Sequence, residues 1–414
     1  MCGVDAGRQR EAPDVIQRVR TYLDGQLNQL HRMFLRRSSL TNLPALVRRL
    51  HQTPLAAIMS KAPEAFWTEP SPATYDFRSD TVTTPTAAQS RSLPGAPIYD
   101  AILSPAPLNL STPITRAINK PASLFITSGT LSNLLALRAL ITTPPPYTIL
   151  CDSRSHIYRY EAGNVATVWG VQLTPITPAG HHLTLDDVKR AWVTADYDIH
   201  FAPTVVVALE NTLCSGRVHP LESINEIAAF VHEKGGKVHM DGARLWHAAE
   251  ATKTPIAKIV ENVDSLSVCC SKGLGAPVGG HLFGDLDTVE RARKLRKMLG
   301  GAIRQEGVLT AMCDAAYVEV VEGGKLAKVH EAARRVGDLW TALGGHLTEE
   351  VETNMVFVKL EDERMEEVWE QVAERMGITV SGSRLVIHHQ NYEAGVERLE
   401  LFLAEVWKTW TGHC

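Results

Sequence analysis

The chain has 414 residues, 44% of them hydrophobic, enough to bury one large core and a smaller one. A net charge of −4 and a pI near 6.5 offer no basic surface for nucleic acid, and no apolar run approaches the ~18 residues of a membrane span. Seven cysteines, an odd number without a Cys-x-x-Cys pair, read as reduced intracellular thiols rather than a disulfide frame or a metal site.

Residues 1–74 form an extension of distinct composition. No acidic residue falls between Asp24 and Glu64, while Arg32, Arg36, Arg37, Arg48, Arg49 and Lys61 are interleaved with Leu, Ser and Thr. Two readings stay open. One is a helical extension packed on the body of a cytoplasmic protein; the other is a mitochondrial targeting segment, against which stand the four acids within residues 1–24. Pro63, Pro70 and Pro72 then punctuate the passage into the catalytic body.

From Thr74 short strands and helices alternate. Strands are expected at Ala122–Thr127, Thr148–Cys151, Thr204–Leu209, Lys237–Asp241 and Val263–Cys270, with helices at Ser132–Leu140 and Ile224–Lys234. The continuous apolar run Val205-Val206-Val207-Ala208-Leu209 suits a strand covered on both faces. An α/β fold of mainly parallel strands follows, with ligands at the carboxyl ends of the strands. After residue 325 the order becomes helix Leu326–Leu343, strand Met355–Leu360, helix Glu363–Met376, strand Ser383–His388 and helix Tyr392–Trp410, a small α+β domain. The expected division is therefore 1–74, 75–325 and 326–414.

Chemistry concentrates in the second of these. Lys272 stands in the glycine-rich turn Ser271-Lys272-Gly273-Leu274-Gly275-Ala276-Pro277, after a strand and 31 residues beyond Asp241. A strand-end lysine can form a Schiff base with an aldehyde cofactor, and a strand-end aspartate can keep a pyridine nitrogen protonated. Pyridoxal phosphate (PLP) is the cofactor that needs both. Ser128-Gly129-Thr130 falls between a strand and a helix, where backbone N–H groups make a seat for an anion.

Seven segments carry a wider likeness: Phe77-Arg78-Ser79-Asp80-Thr81-Val82-Thr83, Ser128 to Asn133, Cys151 to Tyr158, Leu209-Glu210-Asn211-Thr212, His239 to Trp246, Ser271 to Gly279, and Arg304-Gln305. Together they resemble the threonine aldolase family of fold-type I PLP enzymes, over roughly residues 75 to 414. The resemblance implies an aspartate aminotransferase-like large domain, PLP as cofactor, small amino acid and aldehyde as substrate and product, and a homodimer or homotetramer with sites between subunits. It also assigns roles. Gly129 and Thr130 contact the phosphate, with Lys297 and Arg304 supplying charge near it. His156 stacks on the cofactor ring, and His200 resembles a second histidine near the substrate hydroxyl; either can act as general base. Arg244, Arg384 and Ser79 hold the substrate carboxylate, the arginines through a planar two-pronged grip.

The same comparison exposes departures. Around Tyr99, the family's acidic loop beside the substrate is replaced by Ala96-Pro97-Ile98-Tyr99-Asp100-Ala101-Ile102-Leu103. Leu134, Gly280 and Ala302 stand where the family usually has Gln, Ser and Gly. The cofactor half is kept and the substrate half is altered. Cleavage or formation of the Cα–Cβ bond of a β-hydroxy-α-amino acid is the expected reaction, and racemisation of an alanine-type amino acid on the same scaffold is the alternative.

Overall fold

The structure, a computed structural model, describes residues 71–92, 112–194 and 198–412. Tyr99 and nearly all of the 1–74 extension lie outside these residues. Glu69–Cys414 packs as one compact unit that holds two sheets.

The large sheet contains β1 (Ala122–Ile126), β2 (Thr148–Asp152), β3 (Gln172–Ile176), β4 (Thr204–Glu210), β5 (Lys237–Gly242), β6 (Ser265–Cys269) and β7 (Gly280–Gly284), in the order β1-β7-β6-β5-β4-β2-β3. β2 pairs in parallel with β3 and β4, as do β4 with β5 and β5 with β6. β7 runs antiparallel to both β1 and β6. The carboxyl ends of β1, β2, β4, β5 and β6 therefore share one edge of the sheet. β2, β6 and β7 are buried throughout, as strands covered on both faces must be. β3 is the exposed edge, where Pro175 costs no internal ladder bond.

Longer helices cover the sheet: α1 (Gly129–Leu140), α2 (Leu221–Glu233), α3 (Leu245–Thr252), α4 (Leu286–Met298) and α5 (Gly307–Tyr317). The expected helix at Ser132 begins earlier, because Ser128 caps it by accepting the Leu131 N–H at 3.2 Å. Beyond residue 325 come α6 (Lys325–Leu343), β8 (Met355–Phe357), α7 (Glu363–Met376), β9 (Arg384–Val386) and α8 (Tyr392–Thr411). β8 and β9 pair antiparallel and share a core with these helices around Trp340, Trp369 and Phe402. Both strands are shorter than expected. Among the described residues no helix is long and apolar enough to cross a membrane.

The unexpected glycine at position 280 has a steric reason. A Cβ there would lie 1.9 Å from the Val268 carbonyl oxygen, and one at Gly279, whose φ is +88°, 2.4 Å from the Phe125 ring. The chain enters β7 so close to β1 and β6 that positions 279 and 280 admit only glycine.

Candidate active site

One edge of the sheet collects the chemistry. The segments following β1, β2, β4, β5 and β6 bring Gly129 and Thr130, His156, Cys214, Arg244 and Lys272 to it, while Glu210 and Asp241 end their strands there. The Lys272 turn is fixed from several directions. Thr83 Oγ1 donates to the Lys272 carbonyl at 3.1 Å, Gln89 Nε2 to the Gly275 carbonyl at 3.1 Å, and His389 Nδ1 lies 3.1 Å from the Gly273 carbonyl. The lysine therefore projects from a turn that its neighbours immobilise.

Beside it a buried ion pair forms across 164 residues of sequence. Arg244 Nε and Nη2 donate to the two Asp80 oxygens at 2.8 and 2.6 Å. Burial alone would raise the Asp80 carboxyl, but the Arg244 guanidinium holds it well below the usual carboxylate range, helped by His247 and Lys272. This modifies one expectation. The Nε and one Nη2 N–H of Arg244 are committed to Asp80, which leaves its end-on Nη1 and Nη2 N–H pair as the donors it could offer a substrate carboxylate. Ser79 caps the turn Asp80–Val82, its hydroxyl accepting from Thr81 N–H at 3.2 Å. Arg384 Nη2 donates to the Arg78 carbonyl at 3.2 Å, which brings the small sheet's arginine to the residue preceding Ser79.

A second buried network surrounds Asp241. One carboxylate oxygen accepts from Ala243 N–H at 3.0 Å and the other from Asn133 Nδ2 at 2.8 Å. Asn133 Nδ2 also donates to Glu161 Oε1 at 2.8 Å, and the same oxygen lies 3.0 Å from His156 Nδ1. Asn133 Oδ1 is held in turn by His239 Nε2 at 3.1 Å, which fixes the amide orientation. The hydrogen bond to Glu161 raises the His156 pKa, and the nearby Asp241 charge adds to it. With Nδ1–H donating to Glu161, the Nε2 lone pair of His156 is left as a base, on a ring whose side chain is 33% exposed. Glu161 and Asn133 went unassigned in the sequence. Asn133 meets Glu161 and Asp241 28 and 108 residues away, beyond any local motif, and the five-residue step from His156 to Glu161 matches no motif either.

Glu210 completes the cluster. Its Oε1 accepts the His156 backbone N–H at 3.1 Å and its Oε2 the Cys214 N–H at 2.7 Å. Burial, with Asp241 nearby, pushes its carboxyl up to about 7. Such a carboxyl binds its proton more tightly folded than unfolded. Its contribution to stability is then full at low pH and is lost as pH rises from the ordinary carboxylate range through about 7. In Glu210→Gln the urea midpoint should lose that fall between roughly pH 5 and pH 8. An unaltered slope would remove Glu210 as its source.

Other expectations fare differently. His200 is not brought to the site. It sits just before β4, at the end opposite Glu210, about 20 Å away by strand rise, and its side chain is 78% exposed beside Asp198. Local resemblance could not tell one end of the strand from the other. Lys297 and Arg304 are exposed, on the segment that meets the first turn of α1, where a Cβ at Gly301 would lie 3.0 Å from Leu131 Cδ2. The buried cation there is Arg296, which donates to Glu306 Oε2 at 2.8 Å and to the Phe125 carbonyl at 2.5 Å. It braces the end of β1 from which the anion seat follows.

The donor set fits pyridoxal phosphate. A lysine amine, a buried carboxylate and an aromatic imidazole converge, and a helix N-terminus opens on space, since a Cβ at Gly129 would meet nothing within 4 Å. The family profile of beta-eliminating lyases matches residues 76–363. A low specificity L-threonine aldolase from Saccharomyces cerevisiae is 39% identical over 80% of this chain and 86% of its own. The chain belongs to the beta-eliminating lyases, among the threonine aldolases. This threonine aldolase-like chain is also 32% identical to an alanine racemase from Cochliobolus carbonum, over 80% of this chain and 87% of that protein. A solved threonine aldolase structure from Leishmania major superposes with a TM-score of 0.67 at 19% identity, covering 80% of this chain and 99% of that one. The fold-type I expectation is thereby met.

Proposed function

We propose that the protein cleaves the Cα–Cβ bond of a threonine-like β-hydroxy-α-amino acid, releasing glycine and an aldehyde, and can run the reaction in reverse. The observation that carries this reading is the convergence of Lys272, Asp241, the Asp80–Arg244 pair and the Glu161-oriented His156 at one sheet edge. Bound pyridoxal phosphate supplies the electron sink for the carbanion at the substrate α-carbon. Lys272 would hold its aldehyde carbon, Asp241 would keep its pyridine nitrogen protonated, and the Gly129 and Thr130 N–H groups would receive its phosphate. Arg244 through its remaining Nη1 and Nη2 N–H groups, Arg384 and Ser79 orient the substrate carboxylate. His156 Nε2 takes the proton of the β-hydroxyl, and Glu161 stabilises the positive imidazolium that results. The residues beyond 325, with a core and a two-stranded sheet of their own, carry Arg384. Exposed Met298 and Val308 flank Lys297 and Arg304, which favours a second copy of the chain completing the phosphate end.

Glu161→Gln tests the base. The variant should lose about 10- to 100-fold in kcat, part of what general-base catalysis supplies. The acid limb of its rate profile should move to lower pH, because His156 loses the partner that raises its pKa. An unmoved limb would assign the base elsewhere.

The reaction itself is tested by incubating the PLP-loaded protein with L-threonine, L-allo-threonine, L-phenylserine and L-alanine. Aldehyde and glycine in equal amounts are expected from the hydroxy amino acids. Loss of optical purity without aldehyde would instead make the protein a racemase.

A further inference from the structure

We propose that Cys270, His281 and Cys313 form a binding site for a single thiophilic d10 metal ion, zinc(II) or copper(I), in the core beneath the Lys272 turn. The three residues come from separate elements. Cys270 follows β6, His281 lies in β7 and Cys313 in α5. His281 is in register with Val268, so Cys270, two residues further on, lies on the same face of the sheet, toward α5.

The two sulfurs and a ring nitrogen all lie within 4.8 Å of one another, and all three residues are buried. An ion bound by two thiolates and an imidazole places its donors about 3.5–3.8 Å apart, so side-chain shifts of about 1 Å close the site.

His281 supplies the independent observation. It is 2% exposed, and neither ring nitrogen has a hydrogen-bond partner. Its ring packs edge-on to Phe125, with centroids 5.7 Å apart. An imidazole serving only to fill this apolar core would be better replaced by a phenyl ring, because each orphaned nitrogen costs free energy. A metal ion gives one nitrogen its partner.

The thiols are equally out of place as reactive groups. Cys270 neighbours Cys313, whose Sγ donates weakly to the Val278 carbonyl at 3.6 Å, and neither sulfur reaches solvent. Binding releases one proton from each, forms two metal–sulfur bonds and one metal–nitrogen bond, and oxidises nothing. The resulting charge is zero with zinc(II) and one negative with copper(I), either tolerable only where thiolates are fully coordinated. Soft sulfur donors exclude calcium and magnesium. The spacing 270, 281, 313 matches no Cys-x-x-Cys pattern, so the sequence read as metal-free.

The test uses the full PLP-loaded chain. One portion is equilibrated with zinc(II), another with copper(I) under anaerobic reducing conditions, and loose metal is removed on a chelating resin. Mass spectrometric metal analysis should give close to one ion per chain in at least one arm, and the arm identifies the ion. His281→Phe and Cys313→Ala should retain under a tenth of that, while keeping the visible absorbance of the bound cofactor. Should either variant fail to fold, the wild type alone decides: loading should raise its melting temperature and release two protons per ion. No retained metal in either arm overturns the proposal. So does equal retention by folded variants, or an unmoved melting temperature.

Discussion

Lys272→Ala should abolish turnover, lowering aldehyde release from L-threonine by roughly 10⁴- to 10⁶-fold, the scale on which removing a covalent catalytic residue acts. The visible absorbance of lysine-bound cofactor should vanish with it. The fold should survive, because Lys272 is partly exposed and its turn is held through the Lys272, Gly273 and Gly275 carbonyls. Circular dichroism separates loss of chemistry from loss of structure. A folded variant with more than a tenth of wild-type activity would contradict the role given to Lys272.

Asp241→Asn should have the second largest effect, about 10²- to 10³-fold in kcat, comparable to removing one preorganised electrostatic stabiliser. A neutral amide cannot hold the pyridine nitrogen protonated. It would also turn a donor toward Asn133 Nδ2, which now donates to Asp241 at 2.8 Å. Because the Asp241 charge helps to raise the His156 pKa, the acid limb of activity should shift downward in the same variant. A pure rise in KM, with kcat and the pH profile intact, would mean that Asp241 only shapes the pocket.

The difference between what the sequence discloses and what it hides follows the range of the interactions. Lys272 and Asp241 are legible because each sits in a compact motif at the end of an apolar strand, and parallel pairing of β5 with β6 sets the two strand ends side by side. Helix positions beyond residue 325 are legible from their apolar period. β7 is not, since a five-residue strand bounded by glycines and inserted antiparallel between β1 and β6 has no alternation to read. Partnerships are the least legible. Asp80 is needed to know that one side of the Arg244 guanidinium is already engaged, and Glu161 to choose His156 over His200. The buried Arg296, one position before the expected Lys297, shows that a cationic run records charge but not which member turns inward.

The most direct measurement is peptide mapping after borohydride reduction of the PLP-loaded protein. Reduction fixes the cofactor to whichever amine holds it, and mass spectrometry locates the adduct. A phosphopyridoxyl group is expected on Lys272, in the tryptic peptide from Ile259 to Arg291 that the modified lysine leaves uncut. An adduct on another lysine, or none in a protein that still cleaves L-threonine, would contradict it.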